Sequence, residues 1–191
     1  MAHHNLSPNI ILGYHGCDES VGLRLLNGDY FKNSDNGYDW LGPGIYFWDA
    51  NPQRAYSFAM EQKIRGRFET PFVVGAALTL GNCIDTLNEK SIRAISAAHR
   101  KLAATCKVSG TPLPQNIGGE YLLLKSLDCA VIMTLHDMLN MAGVQPAESL
   151  RGLYYEGSRL YSRSSVYQKS HIQICIRDHE CIKGVFLPQF H

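Results

Sequence analysis

No apolar run in this chain approaches the roughly 20 residues of a membrane span, so no bilayer helix is expected. Net charge is nearly absent as well: 18 Lys and Arg against 17 Asp and Glu leave +1. That excludes a global basic field for nucleic acid and an acidic solvating tail, so any contact with a polyanion has to be local. Six cysteines are present, at 17, 83, 106, 129, 175 and 181, yet none forms a C-x-x-C pair. Their spacing fits neither a zinc site nor a disulfide framework. The eight histidines include no H-E-x-x-H, so no metal is expected. With no secretory signal pattern at the N-terminus, reduced thiols and a cytoplasmic setting are the expectation. Internal repeats, linkers and low-complexity segments are also missing.

What remains is a globular balance, 45% hydrophobic and 18% charged over 191 residues, enough to bury a core. The expectation is a single domain over 1–191. Residues 1–8 are polar, and 9–15 (NIILGYH) read as a strand ending at Gly16. A short helix follows at 18–27, with Asp18 or Ser20 as its cap. Residues 30–40, rich in Asn, Asp, Ser and Gly, read as loop. The stretch at 41–48, LGPGIYFW, places two glycines around a proline and then four large residues suited to a buried strand. Pro52 suits the first position of the next helix, which should run to about Lys63.

Further on, 71–80 (PFVVGAALTL) predicts a buried strand. Thr86 and Glu89 have capping-box spacing for a helix through Cys106. Residues 108–118 read as loop. Residues 119–142 look helical but interrupted, with an alternative strand at 129–134. A short strand is expected at 153–155, a polar loop at 157–169, and a clean alternation (HIQICIR) gives a strand at 171–177. The last strand is expected at 181–187. The class is α+β.

Three separated pieces, Tyr14-His15-Gly16, Gly42-Pro43-Gly44-Ile45-Tyr46-Phe47 and the late strand at Gln173, stand in an order that resembles the ADP-ribosyltransferase superfamily. The branch it is similar to includes diphtheria toxin and the poly(ADP-ribose) polymerases. The likeness covers roughly residues 10–85 and 165–190. It implies an ADP-ribosyltransferase-like split β-sheet core with flanking helices, and NAD as substrate. His15 would hydrogen-bond the adenosine-side ribose, and the Gly16 backbone would reach the nicotinamide carboxamide. Gly44 would belong to the NAD-binding turn, Tyr46 would stack on the nicotinamide ring, and Tyr56 would close its other face. On this likeness, His15→Ala and Tyr46→Ala should weaken NAD affinity and leave the fold intact.

The chemistry suits these residue types. NAD breaks at its glycosidic bond through a transition state with oxocarbenium character, and an enzyme helps by gripping both ends of the dinucleotide. The family has glutamate where this chain has Gln173. An amide can hydrogen-bond a ribose but carries no charge and takes no proton, a loss commonly costing on the order of 10²–10³ in rate. Three readings stay open. Gln173 positions NAD while Glu156 or Glu120 supplies the charge; or the acceptor is already a good nucleophile; or the chain binds NAD or ADP-ribose without catalysis. Gln173→Glu is expected to leave turnover unchanged or higher.

The resemblance thus implies transfer of ADP-ribose to a protein or nucleic-acid acceptor with release of nicotinamide, as in toxins and defence effectors. A non-catalytic binding module and an NAD glycohydrolase are the alternatives. The 157–169 loop, with Arg159, Arg163, Lys169, Tyr161 and Tyr167, would meet the acceptor, by phosphate contacts and stacking if that is a nucleic acid. His171 shares a strand face with Gln173 and is a candidate acid or base. Trp40, Trp48, Phe47 and Phe58 read as core, His99 and His136 as surface or satisfied core, and Cys175 as buried and inert.

Overall fold

Asp18 both ends the first strand and starts the first helix. One carboxylate oxygen accepts from the Ser20 backbone and hydroxyl, the other from the backbone N–H groups of Glu69 and Thr70. Those hydrogen bonds pull its pKa down to about 2. Similar local logic sets the elements of the computed structural model, which describes residues 10–118 and 124–189. In order they are β1 (Ile11–Asp18), α1 (Glu19–Leu26), β2 (Ile45–Asp49), α2 (Pro52–Ile64), β3 (Pro71–Leu78), β4 (Cys83–Asp85) and α3 (Glu89–Ser109). Then follow β5 (Asn116–Ile117), β6 (Leu124–Lys125), α4 (Ser126–Met141), β7 (Ser149–Tyr154), β8 (His171–Ile176), one 3₁₀ turn and β9 (Ile182–Phe186). Asn9 and the candidate acid Glu120 lie outside the described residues.

The architecture is α+β, as expected: a seven-stranded mixed sheet in the order β4-β7-β8-β2-β1-β3-β9, with four helices. Its one parallel pair is β4–β7. A separate two-stranded sheet joins β5 and β6. Pairing is uneven in a way that matters. β1 pairs with β3 at eight positions but with β2 at only two, Gly13 opposite Asp49 and Tyr14 opposite Trp48. The sheet is hydrogen-bonded right across, with a narrow waist beyond Tyr14 where two halves would have been expected.

Alternation sorts side chains to the two faces. Ile45, Phe47, Ile174 and Ile176 join Val74, Leu78 and Phe31 in the main core, whereas Trp48 packs with Ala55 and Val73 under α2. Phe47 is core, as the sequence implies.

Several boundaries differ from the sequence reading, each for a local reason. Residues 129–134 are helix: Cys129, Val131, Ile132 and Leu135 are buried in α4, and Val131 and Leu135 pack with Ala98 of α3. The α3 cap is Asn88, whose side chain accepts from the Lys90 N–H, while the Thr86 N–H pairs with the Arg151 carbonyl. β1 continues past Gly16 to Asp18 because β3 pairs with it throughout. β7 begins at Ser149 because β4 and β8 flank it, and Arg151 and Gly152 hide its apolar pattern.

Among the histidines, His99 is exposed, but His136 in α4 is buried and incompletely satisfied. Its Nδ1 accepts from Arg177 at 3.0 Å, and its Nε2 has no hydrogen-bond partner among the described residues. Burial, helped by the Arg177 charge, pushes the imidazole from 6.5 down to about 4. An unfolded chain takes that proton near 6.5, so the neutral ring's contribution is whole above that pH and is lost as pH falls towards 4. The expected loss is about 3 kcal/mol, read as a drop in the urea-unfolding free energy between pH 7 and pH 4. His136→Gln should flatten the profile by that share.

Candidate functional site

A cleft of about 620 Å³ opens at the waist of the sheet. His15, Gly16, Gly44, Tyr46, Glu156 and Gln173, which sequence reasoning singled out from separate segments, all line it. His15 and Tyr46 reach it from opposite strand faces, because backbone pairing between β1 and β2 has stopped there. The imidazole fills the gap, with Nδ1–H donating to the Tyr46 carbonyl at 2.8 Å. The Phe31 and Phe47 rings flank it at 5.4 and 5.8 Å. Burial holds the ring below its ordinary pKa, against the opposing pull of the carbonyl bond. A neutral ring donating from Nδ1 leaves Nε2 as a lone-pair acceptor, and it has no protein partner among the described residues.

Tyr46 is fixed at both ends. Its hydroxyl donates to the Gly42 carbonyl at 2.8 Å and accepts the Leu41 N–H at 3.1 Å, stapling the ring to the glycine turn. Burial raises its pKa well above the ordinary value. Tyr46→Ala therefore removes a fold contact as well as a cleft wall, and it is expected to lower stability together with any NAD affinity. Cys175 lies beneath the same turn, fully buried, its thiol pushed up to about 12 by burial. It is inert, as the sequence implies.

Helix α2 supplies the opposite wall, and here one assignment is corrected. Arg54, Phe58, Glu61, Gln62 and Arg65 line the cleft, at helical spacings of four, seven, eight and eleven from the first. Tyr56 stands two positions from Arg54 and so points about 200° away. It lines a different, shallow cleft with Pro71, Phe72, Val73 and Leu187. The second aromatic facing Tyr46's cleft from this helix is Phe58. Trp40 and Trp48 line it too, so three of the four aromatics read as core are cleft walls.

Gln173 and Glu156 differ in their surroundings. Gln173 Oε1 accepts from Trp40 Nε1 at 2.6 Å. Glu156 Oε2 accepts from Arg54 Nη2 at 2.6 Å, and Lys169 Nζ stands 3.6 Å from its other oxygen. Glu61 completes the group, 2.8 Å from Lys169 and 3.6 Å from Arg54. Arg54 is only 8% exposed and lies 5.7 Å over the Trp48 ring. The Glu156 carboxylate is in the cleft as anticipated, with its charge offset by two cations. Sequence reasoning missed Arg54, although the spacing of the charged and aromatic positions along α2 carried the signal.

The 157–169 loop is less available than its composition implied. Lys169 is tied to Glu61, and Arg159 donates to the Ser164 carbonyl and lies 5.1 Å over Tyr167. Of its three cations only Arg163 has no partner among the described residues. His171 is buried and does not itself line the opening, donating from Nδ1 to the Lys169 carbonyl at 2.6 Å behind the cleft residues Trp48 and Tyr154. Burial lowers its pKa. Lys32, Arg65 and Arg67 also line the cleft, with Arg67 partly engaged by Gln62. Among the described residues no three His, Cys, Asp or Glu side chains converge as metal ligands, and no helix is long and apolar enough to cross a membrane.

Comparison with protein-family models, with curated proteins and with solved structures gave no match.

Proposed function

We propose that the waist cleft binds NAD and that the chain is an ADP-ribosyltransferase of the His-Tyr-Glu kind, with glutamine in place of the glutamate. The observation that carries this reading is the meeting of His15, Gly16, Tyr46 and Gln173 around one opening. Each offers what the dinucleotide needs. His15 Nε2 can accept a ribose hydroxyl, and Gly16 lines the cleft on the β2 side, where pairing between β1 and β2 has stopped. Tyr46 and Phe58 provide flat walls for nicotinamide, and such stacking contributes about 0.5–1.5 kcal/mol per ring beyond area burial. Lys32, Arg65 and Arg67 suit the pyrophosphate.

In the reaction the bond between ribose C1′ and the nicotinamide nitrogen breaks, its electron pair leaving with nicotinamide. An acceptor oxygen or nitrogen attacks C1′ and releases a proton. Glu156, which lines the cleft, is the candidate to take it, and the fold is read as of the ADP-ribosyltransferase kind with a sheet narrowed at the waist and not split. The acceptor is a macromolecule, and a toxin or defence effector working in a cytoplasm fits this chemistry.

A second reading has its own support. Gln173 is neutral and Glu156 is offset by Arg54 and Lys169, which favours a cleft that holds NAD or ADP-ribose without breaking it. Incubation with NAD labelled in its adenylate half, together with cell protein and nucleic acid, separates the readings. Label on a macromolecule is the expected result. Free ADP-ribose points to a glycohydrolase, and saturable binding without nicotinamide release to a binding module. Failure to bind NAD at all overturns the assignment.

A further inference from the structure

The contact between Trp40 and Gln173 carries more than a position. An indole nitrogen only donates. With Trp40 Nε1 at 2.6 Å, the atom of Gln173 that meets it must be the carbonyl oxygen, since a turned amide would set two donors against each other. Oε1 is therefore engaged. Nε2, with its two hydrogens, is not among the buried unpartnered atoms and has no protein partner among the described residues. It is the end of the amide that a cleft ligand meets.

The indole that enforces this is itself seated. Gly152, directly paired with Gln173 across β7 and β8, leaves the room it occupies: a Cβ there would come 2.5 Å from Trp40 Cη2. The Tyr154 ring lies 5.4 Å from the indole. Glycine in mid-strand, indole and amide thus form one unit whose output is a hydrogen-bond donor.

We propose that Trp40 sets Gln173 as a fixed donor, so that the cleft selects a ligand placing a lone-pair oxygen, a ribose or carbonyl oxygen, at that point. This rests on the NAD reading above and specifies it. It reverses the polarity that a carboxylate would give, for a carboxylate at 173 could still accept from Trp40 but would have no hydrogen to offer. Trp40 is a positioning residue: it acts through Gln173 and not on the ligand. The expectation that Gln173→Glu preserves or improves function is accordingly replaced by its opposite.

Calorimetric titration of NAD into the full chain tests this at pH 7.5. Gln173→Met, which keeps length and removes the donor, should weaken binding about tenfold. Gln173→Glu should weaken it at least as much and recover as the pH is lowered towards 5, where a growing fraction of the carboxyl is protonated and can donate. Trp40→Phe should weaken binding in the unaltered background and add nothing in the Gln173→Met background, a non-additivity that a merely packing role would not produce. Gln173→Glu binding as tightly as the unaltered chain at pH 7.5, or an additive Trp40→Phe penalty, overturns the donor assignment alone. An unaltered chain that does not bind NAD removes the dinucleotide reading and this one with it.

Discussion

Gly16→Ala should lose about 3 kcal/mol of stability, near the upper end for an overpacked site. The reason is the seat of α2 on β1. A Cβ on Gly16 would overlap the Ala55 backbone carbonyl and press on the Phe58 ring. A carbonyl in a helix cannot rotate away as a side chain can, so the whole of α2 has to shift. That helix carries Arg54 and Phe58, so the shift also spreads the cleft wall. In a chain of this size the melting temperature should fall by about 6–12 °C. Gly37→Ala is the control, because a Cβ there meets nothing within 4 Å. Equal melting temperatures for the two variants would show that α2 is not held against Gly16 as described.

Arg54→Leu is expected to cost a similar amount, about 3 kcal/mol, the lower end for breaking a buried pair because both carboxylates keep some water. The side chains of Glu156 and Glu61 are 16% and 26% exposed, against 8% for Arg54. Removing the guanidinium leaves two acids facing, among the described residues, the one cation Lys169, and strips the cation from the Trp48 ring. Restoring part of the loss by Arg54→Leu with Glu156→Leu is the diagnostic, since an apolar pair needs no counter-charge. Urea unfolding of the single and double variants reads both. A double variant less stable than Arg54→Leu alone would mean that Glu156 has other support. The same ion group joins α2 to the start and end of the 157–169 loop, so the single variant should also loosen that loop against the cleft.

The candidate site was partly legible before any coordinates. Short-range chemistry carried it: a glycine turn followed by aromatics, a histidine-glycine pair on a strand, and a strand whose alternation puts His171, Gln173 and Cys175 on one face. Tyr56 was misplaced because matching one position along a helix ignores its 100° steps, and those turn Phe58, not Tyr56, towards the opening. The strand expected at 129–134 was misread because a short apolar run on a buried helix looks the same from sequence alone.

By itself the sequence determined the α+β alternation, the strand at Phe47, the helix behind Pro52 and the burial of Cys175, because each depends on neighbours a few positions away. Only the tertiary structure decided which acids are compensated, where the sheet narrows and which end of the Gln173 amide is offered. Those depend on partners distant in the chain, such as Trp40 with Gln173 and Arg54 with Glu156. No local pattern encodes the distance between them, and the direction of a hydrogen bond exists only once both atoms are in place.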